Sequence, residues 1–229
     1  MPPTLAPADA ETLDRLGALR LPRAVSEPDL LRIESALVQL PPERAGVRLH
    51  GLSGLQPALE TNGPIWAAAV LALPAARPVR AILFDKTEST NWSLAWHQDR
   101  TVAVKSCVDA AGFGPWSRKD GMLHVAPPFE VLAGMVTLRL HLDPVSATNA
   151  PLLIAPGSHR VGRIAEGDIP SIVERCGITA CLAERGDIWL YATPILHASD
   201  TARTPQRRRV LQVDYAAGDL PAGLEWLGV

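Results

Sequence analysis

The residues whose types and spacing could do chemistry sit in three short segments. AWHQDRTVAV carries His97 and Asp99 two positions apart. In an extended segment residues i and i+2 project to the same side, so one imidazole and one carboxylate reach a common point. His197 follows in ATPILHASD, 100 residues after His97. Two histidines and one carboxylate make the facial array of a non-haem Fe(II) centre, which leaves coordination positions open. His-x-Asp alone is a weak signal. It is strengthened by its place at the start of a strand, by the later His after a Gly-Asp turn and a strand, and by Arg207, Arg208 and Arg209 beyond it.

These side chains need elements to carry them. Leu13, Leu16 and Leu19 suit a short helix from about Asp9, after a Pro/Ala-rich arm over residues 1–16. Ser26 is an N-cap with Pro28 in the first turn. Leu30, Ile33, Leu37 and Leu40 recur at helical spacing until Pro41-Pro42 stops the run. A second helix is expected within Pro57 to Leu73, burying Ile65, Trp66, Val70 and Leu71. Strands follow at 79–84, 101–108, 135–142, 152–155, 178–182, 188–192 and 209–215. In MVTLRLHL, Val136, Leu138, Leu140 and Leu142 share one face, and Thr137, Arg139 and His141 the other. Many short strands with helices gathered at the N-terminal end read as an antiparallel barrel or sandwich with helical packing on one side.

Composition bounds the partners. Of 229 residues 47% are apolar and 20% charged, which excludes a disordered chain. The net charge of −2 gives no electrostatic reason to expect nucleic acid or an anionic membrane. The longest apolar run, Ile65 to Leu73, is nine residues, far short of the roughly 20 of a membrane span. The first residues, MPPTLAPADAETLD, show no secretory signal. Three cysteines, Cys107, Cys176 and Cys181, in no CxxC spacing, point to free thiols and a cytoplasmic home.

The chain resembles the phytanoyl-CoA dioxygenase-like family of Fe(II)/2-oxoglutarate oxygenases. The resemblance lies in LGALRLPRAVSEPDLLRIESAL, WHQD, LRLHLDPVSATNAPLLIAPGSHR, GDIWLYATPILHAS and RRRVLQVDY, in the family's order from about Gly17 to Tyr215. It implies a double-stranded β-helix, a jelly-roll, cupin-like barrel, mainly β with flanking helices. One oxygenase domain then fills 1–229: the arm at 1–16, a mainly helical part at 17–78, the barrel at 79–215 and a tail at 216–229.

The resemblance also implies residue roles. His97, Asp99 and His197 match the iron ligands, and the cofactors are Fe(II), 2-oxoglutarate and O2. The family's 2-oxoglutarate arginine falls on Arg208, eleven residues past the distal His. Strand parity leaves Arg209 as the other candidate. Ser199 matches a hydroxyl that touches the same carboxylate; the alternative is a turn serine. Arg139 departs from the family's pattern and either reaches a carboxylate in the site or forms an ordinary ion pair. The implied reaction oxidises an unactivated C–H bond and releases succinate and CO2. Because Asp99 is present, hydroxylation or desaturation is expected and halogenation is not.

The substrate side is less legible. Gln98 and Arg100 flank the ligands. Residues 107–128 (CVDAAGFGPWSRKDGMLHVAPP) carry glycines and prolines with little periodicity, which suits a lid bringing Phe113, Trp116, Lys119 and His124 to the substrate; the alternative is a solvated loop. His159 reads as a structural turn residue and His50 as solvated. Trp92 and Trp96 read as core packing. No basic cluster outside Arg207–Arg209 suggests a nucleotide or coenzyme A grip, so a free small molecule is expected, acted on by a monomer or homodimer. Two other classes remain: a non-catalytic metal-binding cupin-like module, and a cupin enzyme that needs no oxoglutarate. Neither requires a cation at Arg208.

Overall fold

The computed structural model describes residues 4–41 and 44–229. The expected arm is helical from Pro7: α1 (Pro7–Leu16) starts on a proline and ends at Gly17 with φ 74°. A Cβ at Gly17 would lie 2.2 Å from the His159 ring, so both backbone angle and space require glycine. Residues 1–3 of that arm lie outside the described part. β1 (Ala18–Leu21) leads to α2 (Glu27–Leu37), where the Ser26 hydroxyl accepts from the Asp29 N–H and Leu30, Ile33 and Leu37 are buried, as the spacing required. The stop at Pro41-Pro42 is only half visible, since Pro42 lies outside the described residues.

After β2 (Gly46–Leu49), the single helix expected within 57–73 is two short ones, α3 (Gln56–Leu59) and α4 (Pro64–Ala69). Gly63 separates them. A Cβ there would come within 2.5 Å of the Ala58 carbonyl. Ile65 and Val70 are buried, Trp66 and Leu71 half-buried.

The remaining elements are β3 (Arg77–Lys86), β4 (Leu94–His97), β5 (Val102–Val104), β6 (Trp116–Lys119), β7 (Met122–Val125), α5 (Phe129–Ala133), β8 (Met135–His141), β9 (Leu152–Ile154), α6 (Ile169–Cys176), β10 (Thr179–Cys181), β11 (Ile188–Ala192), β12 (His197–Ser199) and β13 (Arg208–Ala216). A six-stranded antiparallel sheet runs β1-β11-β8-β13-β3-β2, and a four-stranded sheet runs β10-β9-β12-β4. These are the two sheets of a jelly-roll, and they do not close into one continuous barrel. The part expected to be mainly helical supplies both edge strands, β1 and β2, of the large sheet. Among the described residues no helix is long and apolar enough to cross a membrane.

Both faces of the large sheet are buried, with opposite chemistry. Leu138, Leu140, Leu211, Val213, Ala81 and Leu83 face the helices and pack with Leu30, Ile33, Leu59 and Ile65. The other face looks toward the small sheet and carries Thr137, Arg139 and His141 from β8, Arg208, Gln212 and Asp214 from β13, and Arg80 and Lys86 from β3. Period-2 alternation thus separates an apolar core from a polar interior.

The segment at 107–128 is not a loop throughout, and this corrects the lid expectation. β6 and β7 form a hairpin turning at Asp120 and Gly121, both with positive φ, and it joins β5 in a third sheet, β5-β7-β6. Phe113 and Trp116 pack behind this sheet with Val102, Val104, Val125, Leu132 and Leu220. The tail packs there too. Leu220 and Leu224 are buried, and the Leu227 N–H donates to the Ala103 carbonyl.

Candidate metal centre and cation-lined cavity

β4 ends at His97 and β12 begins at His197, and the two residues are direct partners across the small sheet. Their ring centroids lie 4.2 Å apart. The Nδ1 atoms sit 2.8 Å from the Ala95 carbonyl and 3.0 Å from the Ile195 carbonyl. A carbonyl only accepts, so each Nδ1 carries the proton and each Nε2 keeps its lone pair for a metal. One ligand atom from each of His97, Asp99 and His197 lies within 4.8 Å of the others.

The protonation states suit a cation. Burial pushes the His197 pKa down to about 4, so the ring is neutral. Burial opposes the Asp99 charge, but the Arg80 guanidinium leads the opposing influences, and the Asp99 pKa is held at about 2. Arg80 Nη2 donates to Asp99 Oδ2 at 3.0 Å, and its Nε donates to Asp214. Two imidazoles with Nε2 free for a metal and one carboxylate, each oriented by a neighbour, fit a divalent first-row metal.

The triad opens on a cavity of about 550 Å³ between the two sheets. Arg208 and Arg139 also line it. Arg208 is buried, and its Nη1 donates to the Ala150 carbonyl. Its Nε has no partner among the described residues. Burial and the neighbouring Arg139 push its pKa down to about 9. Arg139 donates from Nη1 to Gln212 Oε1 at 2.9 Å and stacks 4.9 Å from the Phe84 ring centre, with no acidic partner among the described residues. Register separates the neighbouring arginines. Arg209 lies on the outer face, where it bonds Asp143 at 2.6 Å and Glu34 at 2.8 Å, and Arg207 bonds Asp85.

Sequence reasoning missed Lys86 and Arg80. Lys86 Nζ donates to the Trp92 carbonyl at 2.6 Å, Ser199 Oγ at 3.0 Å and the Asp200 carbonyl at 3.1 Å. Burial, then Arg208 and Arg139, lower its pKa to about 8. The signal was the strand itself: Arg80 and Lys86 bracket Ile82 and Phe84 on one face of β3.

The other sequence candidates divide. Ser199 and Lys119 line the cavity, and Lys119 Nζ donates to Thr101 Oγ1 at 3.0 Å. Gln98 also lines it, but its amide is spent on the Gly162 and Pro194 carbonyls and the Ile164 N–H, so it clamps the loop behind the ligands. Arg100 stands at the rim, bonded to the Ile164 carbonyl and 3.8 Å from Glu166. Phe113 and Trp116 are not brought to the cavity, because they fill the core behind the hairpin. His124 shares the face of Lys119 but is fully buried and does not line the cavity. His159 packs on Gly17 and His50 is exposed, as expected. Trp92 lines the cavity, whereas Trp96 packs against α6.

Three solved structures share this fold. EctD from S. alaskensis, with 2-oxoglutarate and 5-hydroxyectoine, superposes with a TM-score of 0.70 at 19% identity over 98% of this chain and 80% of that one. The non-heme alpha-ketoglutarate-dependent carbocyclase SnoK from nogalamycin biosynthesis gives 0.66 at 16% over 100% and 90%. HygX from Streptomyces hygroscopicus, with nickel and 2-oxoglutarate bound, gives 0.63 at 17% over 93% and 88%. No curated protein sequence matches significantly. The sequence profile of phytanoyl-CoA dioxygenase (PhyH) matches residues 50–210, more than half of the chain, including the whole triad and Arg208. The chain therefore belongs to the phytanoyl-CoA dioxygenase family of Fe(II)- and 2-oxoglutarate-dependent oxygenases.

Proposed function

We propose that the protein hydroxylates, or otherwise oxidises by hydrogen abstraction, an aliphatic C–H bond of a small molecule, consuming O2 and 2-oxoglutarate and releasing succinate and CO2. One observation carries the reading. A His-Asp-His triad with correctly oriented lone pairs and a buried arginine without a carboxylate partner open on one cavity. His97, Asp99 and His197 hold Fe(II), which when bound supplies the oxidative chemistry. Arg208 takes the distal carboxylate of 2-oxoglutarate, since its planar fork suits a carboxylate and no acidic side chain pairs with it among the described residues. Ser199 stands beside that carboxylate, and Arg139 adds positive charge to the same end.

The remaining residues orient and shield. Arg80 fixes the Asp99 carboxylate against Asp214 and Thr137, so the ligand cannot swing away. Lys86 uses all three of its donors and holds Ser199 rather than the cosubstrate. The three free thiols suit a reducing, cytoplasmic compartment. The test is succinate formation from 2-oxoglutarate with Fe(II) and O2, screened against a metabolite library for substrate stimulation. Succinate above the level of a His97→Ala control is expected. Its absence under every condition would overturn the reading.

A further inference from the structure

We propose that the substrate is an organic anion whose negative group is held at the metal end of the cavity by Lys119 and Arg48. This rests on the functional reading above and names its substrate class.

The sequence shows no basic cluster outside Arg207–Arg209. The fold makes one, bringing Arg48 from β2, Arg80 from β3 and Lys119 from β6 to one cavity, with Arg80 and Arg48 close enough to Lys119 to disfavour its charge. Lys86 and Arg208 pair at the far end of β3, and Arg139 lies close enough to both to disfavour their charges. Arg80 and Lys86 mark the two ends on β3, six residues apart, or about 20 Å of extended backbone. 2-Oxoglutarate has four C–C bonds of about 1.5 Å, so its carboxylates are at most roughly 6 Å apart. One molecule reaching Arg208 from the metal leaves Lys119 and Arg48 unanswered.

Lys119 lacks a counter-ion among the described residues, and Arg48 shares its own. Arg80 is matched by Asp99 and Asp214, and a divalent metal at the triad offsets one of those carboxylates. Lys119 bonds only the neutral Thr101 hydroxyl, and no acidic side chain pairs with it among the described residues. Arg48 reaches Asp120 at 3.0 Å, but Asp120 is shared with Arg44, and the buried Arg48 Nε has no partner among the described residues. Burial, Arg80 and Arg48 all disfavour the Lys119 charge, so an incoming anion relieves repulsion as well as gaining attraction. The Lys119–Thr101 bond holds the ammonium near Asp99, close enough for that carboxylate to favour its charge. An anionic group there fixes the rest of a small molecule near the metal, and the cavity volume suits a substrate of that size together with the cosubstrate.

The experiment is calorimetric titration of the Zn(II)- and 2-oxoglutarate-loaded protein with four probes of one carbon skeleton: hexanoate, hexyl phosphate, 1-hexanol and hexylamine. At least one anion should bind about tenfold or more tighter than 1-hexanol, with hexylamine weakest. Which anion leads separates a carboxylate from a phosphate substrate. Lys119→Met and Arg48→Gln should each cut the anion-to-alcohol affinity ratio about fivefold or more, and raised salt should cut it too. A ratio is used because a general loss of structure moves both probes together. Equal binding of anions and alcohol, a ratio indifferent to both substitutions, or no probe binding overturns the proposal. Failure of 2-oxoglutarate itself to bind strikes the cosubstrate reading instead, and the anion titrations are then still read on the same protein.

Discussion

His97 and His197 face each other across the β4–β12 ladder, and each ring is tied through Nδ1 to the carbonyl two residues before it. The two contacts are the same local device used twice. It fixes the tautomer before any metal arrives, so the protein bears little cost of reorganisation on loading. Replacing either residue with Ala leaves two ligands, which cannot hold Fe(II) in a facial array. Metal content after dialysis should fall to background in His97→Ala and in His197→Ala, and succinate formation should vanish. The metal-free melting temperature should stay close to that of the metal-free parent, because neither ring fills an apolar cluster. Retained iron in either variant would remove that residue from the ligand set.

Arg208 and Arg209 differ by one position and by a face of the sheet. Arg208→Ala should weaken 2-oxoglutarate binding by roughly 100-fold or more, since losing one partner of a buried charged pair costs about 3–5 kcal/mol. Arg209→Ala should leave that affinity nearly unchanged. It should instead lower stability modestly, by about 1–2 kcal/mol, because Asp143 and Glu34 lose a half-buried partner. Titration of 2-oxoglutarate and thermal melting of both variants read the two effects separately. A reversed pattern would contradict the register of β13.

The contrast shows what was legible in the sequence. His97 and Asp99 are locally spaced and could be paired from residue type alone, whereas His197, 100 residues on, was placed with them by the segment order the resemblance implies. Alternation in MVTLRLHL and RRRVLQVDY gave two faces, but a strand buried on both sides does not say which face is the cavity. Only the pairing Gln212↔Arg139 and Asp214↔Arg80 fixes that. β1 and β2 have four residues each, too short for a period to register, and they became strands because the sheet edges needed partners. The hairpin at 116–125 was readable: Asp120-Gly121 between WSRK and MLHV is strong turn chemistry, but the surrounding glycines and prolines suggested a lid. The cations at the metal end come from positions 48, 80 and 119, and no local pattern joins them.

Lys86 gives the cosubstrate site a pH dependence. In the free protein its pKa is lowered to about 8, so the ammonium is charged below that pH and neutral above it. A bound dianion favours the charged form and raises the pKa in the complex. Affinity for 2-oxoglutarate should then be highest below about pH 8 and fall as pH rises toward 9. The loss is at most about tenfold for each unit by which binding raises the Lys86 pKa. Lys86→Met should bind more weakly at pH 7 and flatten this part of the profile. Calorimetry on the Ni(II)-substituted parent and variant between about pH 6.5 and 9 checks it. An identical slope in both proteins would assign the titration to another group.

Asp187 makes a prediction about stability instead of chemistry. It is buried, and its carboxylate accepts from the Arg23 N–H at 2.8 Å, the Glu184 N–H at 2.7 Å and Arg20 Nε at 2.9 Å. It therefore ties the turn before β11 to the chain leaving β1, at an edge of the large sheet. Arg20 is 40% exposed, so its ion pair adds little, and the two backbone N–H groups carry most of the effect. Asp187→Ala leaves both without their acceptor and should cost about 2–4 kcal/mol. Burial opposes the charge, but these donors overcome it and lower the pKa beneath its ordinary value of 3.8. A depressed carboxylate contributes stability that is complete above the ordinary value and is lost as pH falls through the folded-state pKa. The gap in stability between the parent and Asp187→Ala should accordingly be constant from about pH 7 to 5 and shrink below about pH 4. Denaturant melts of the metal-free proteins across that range measure it, and a gap that widens on acidification would show that Asp187 is not the anchor of this turn.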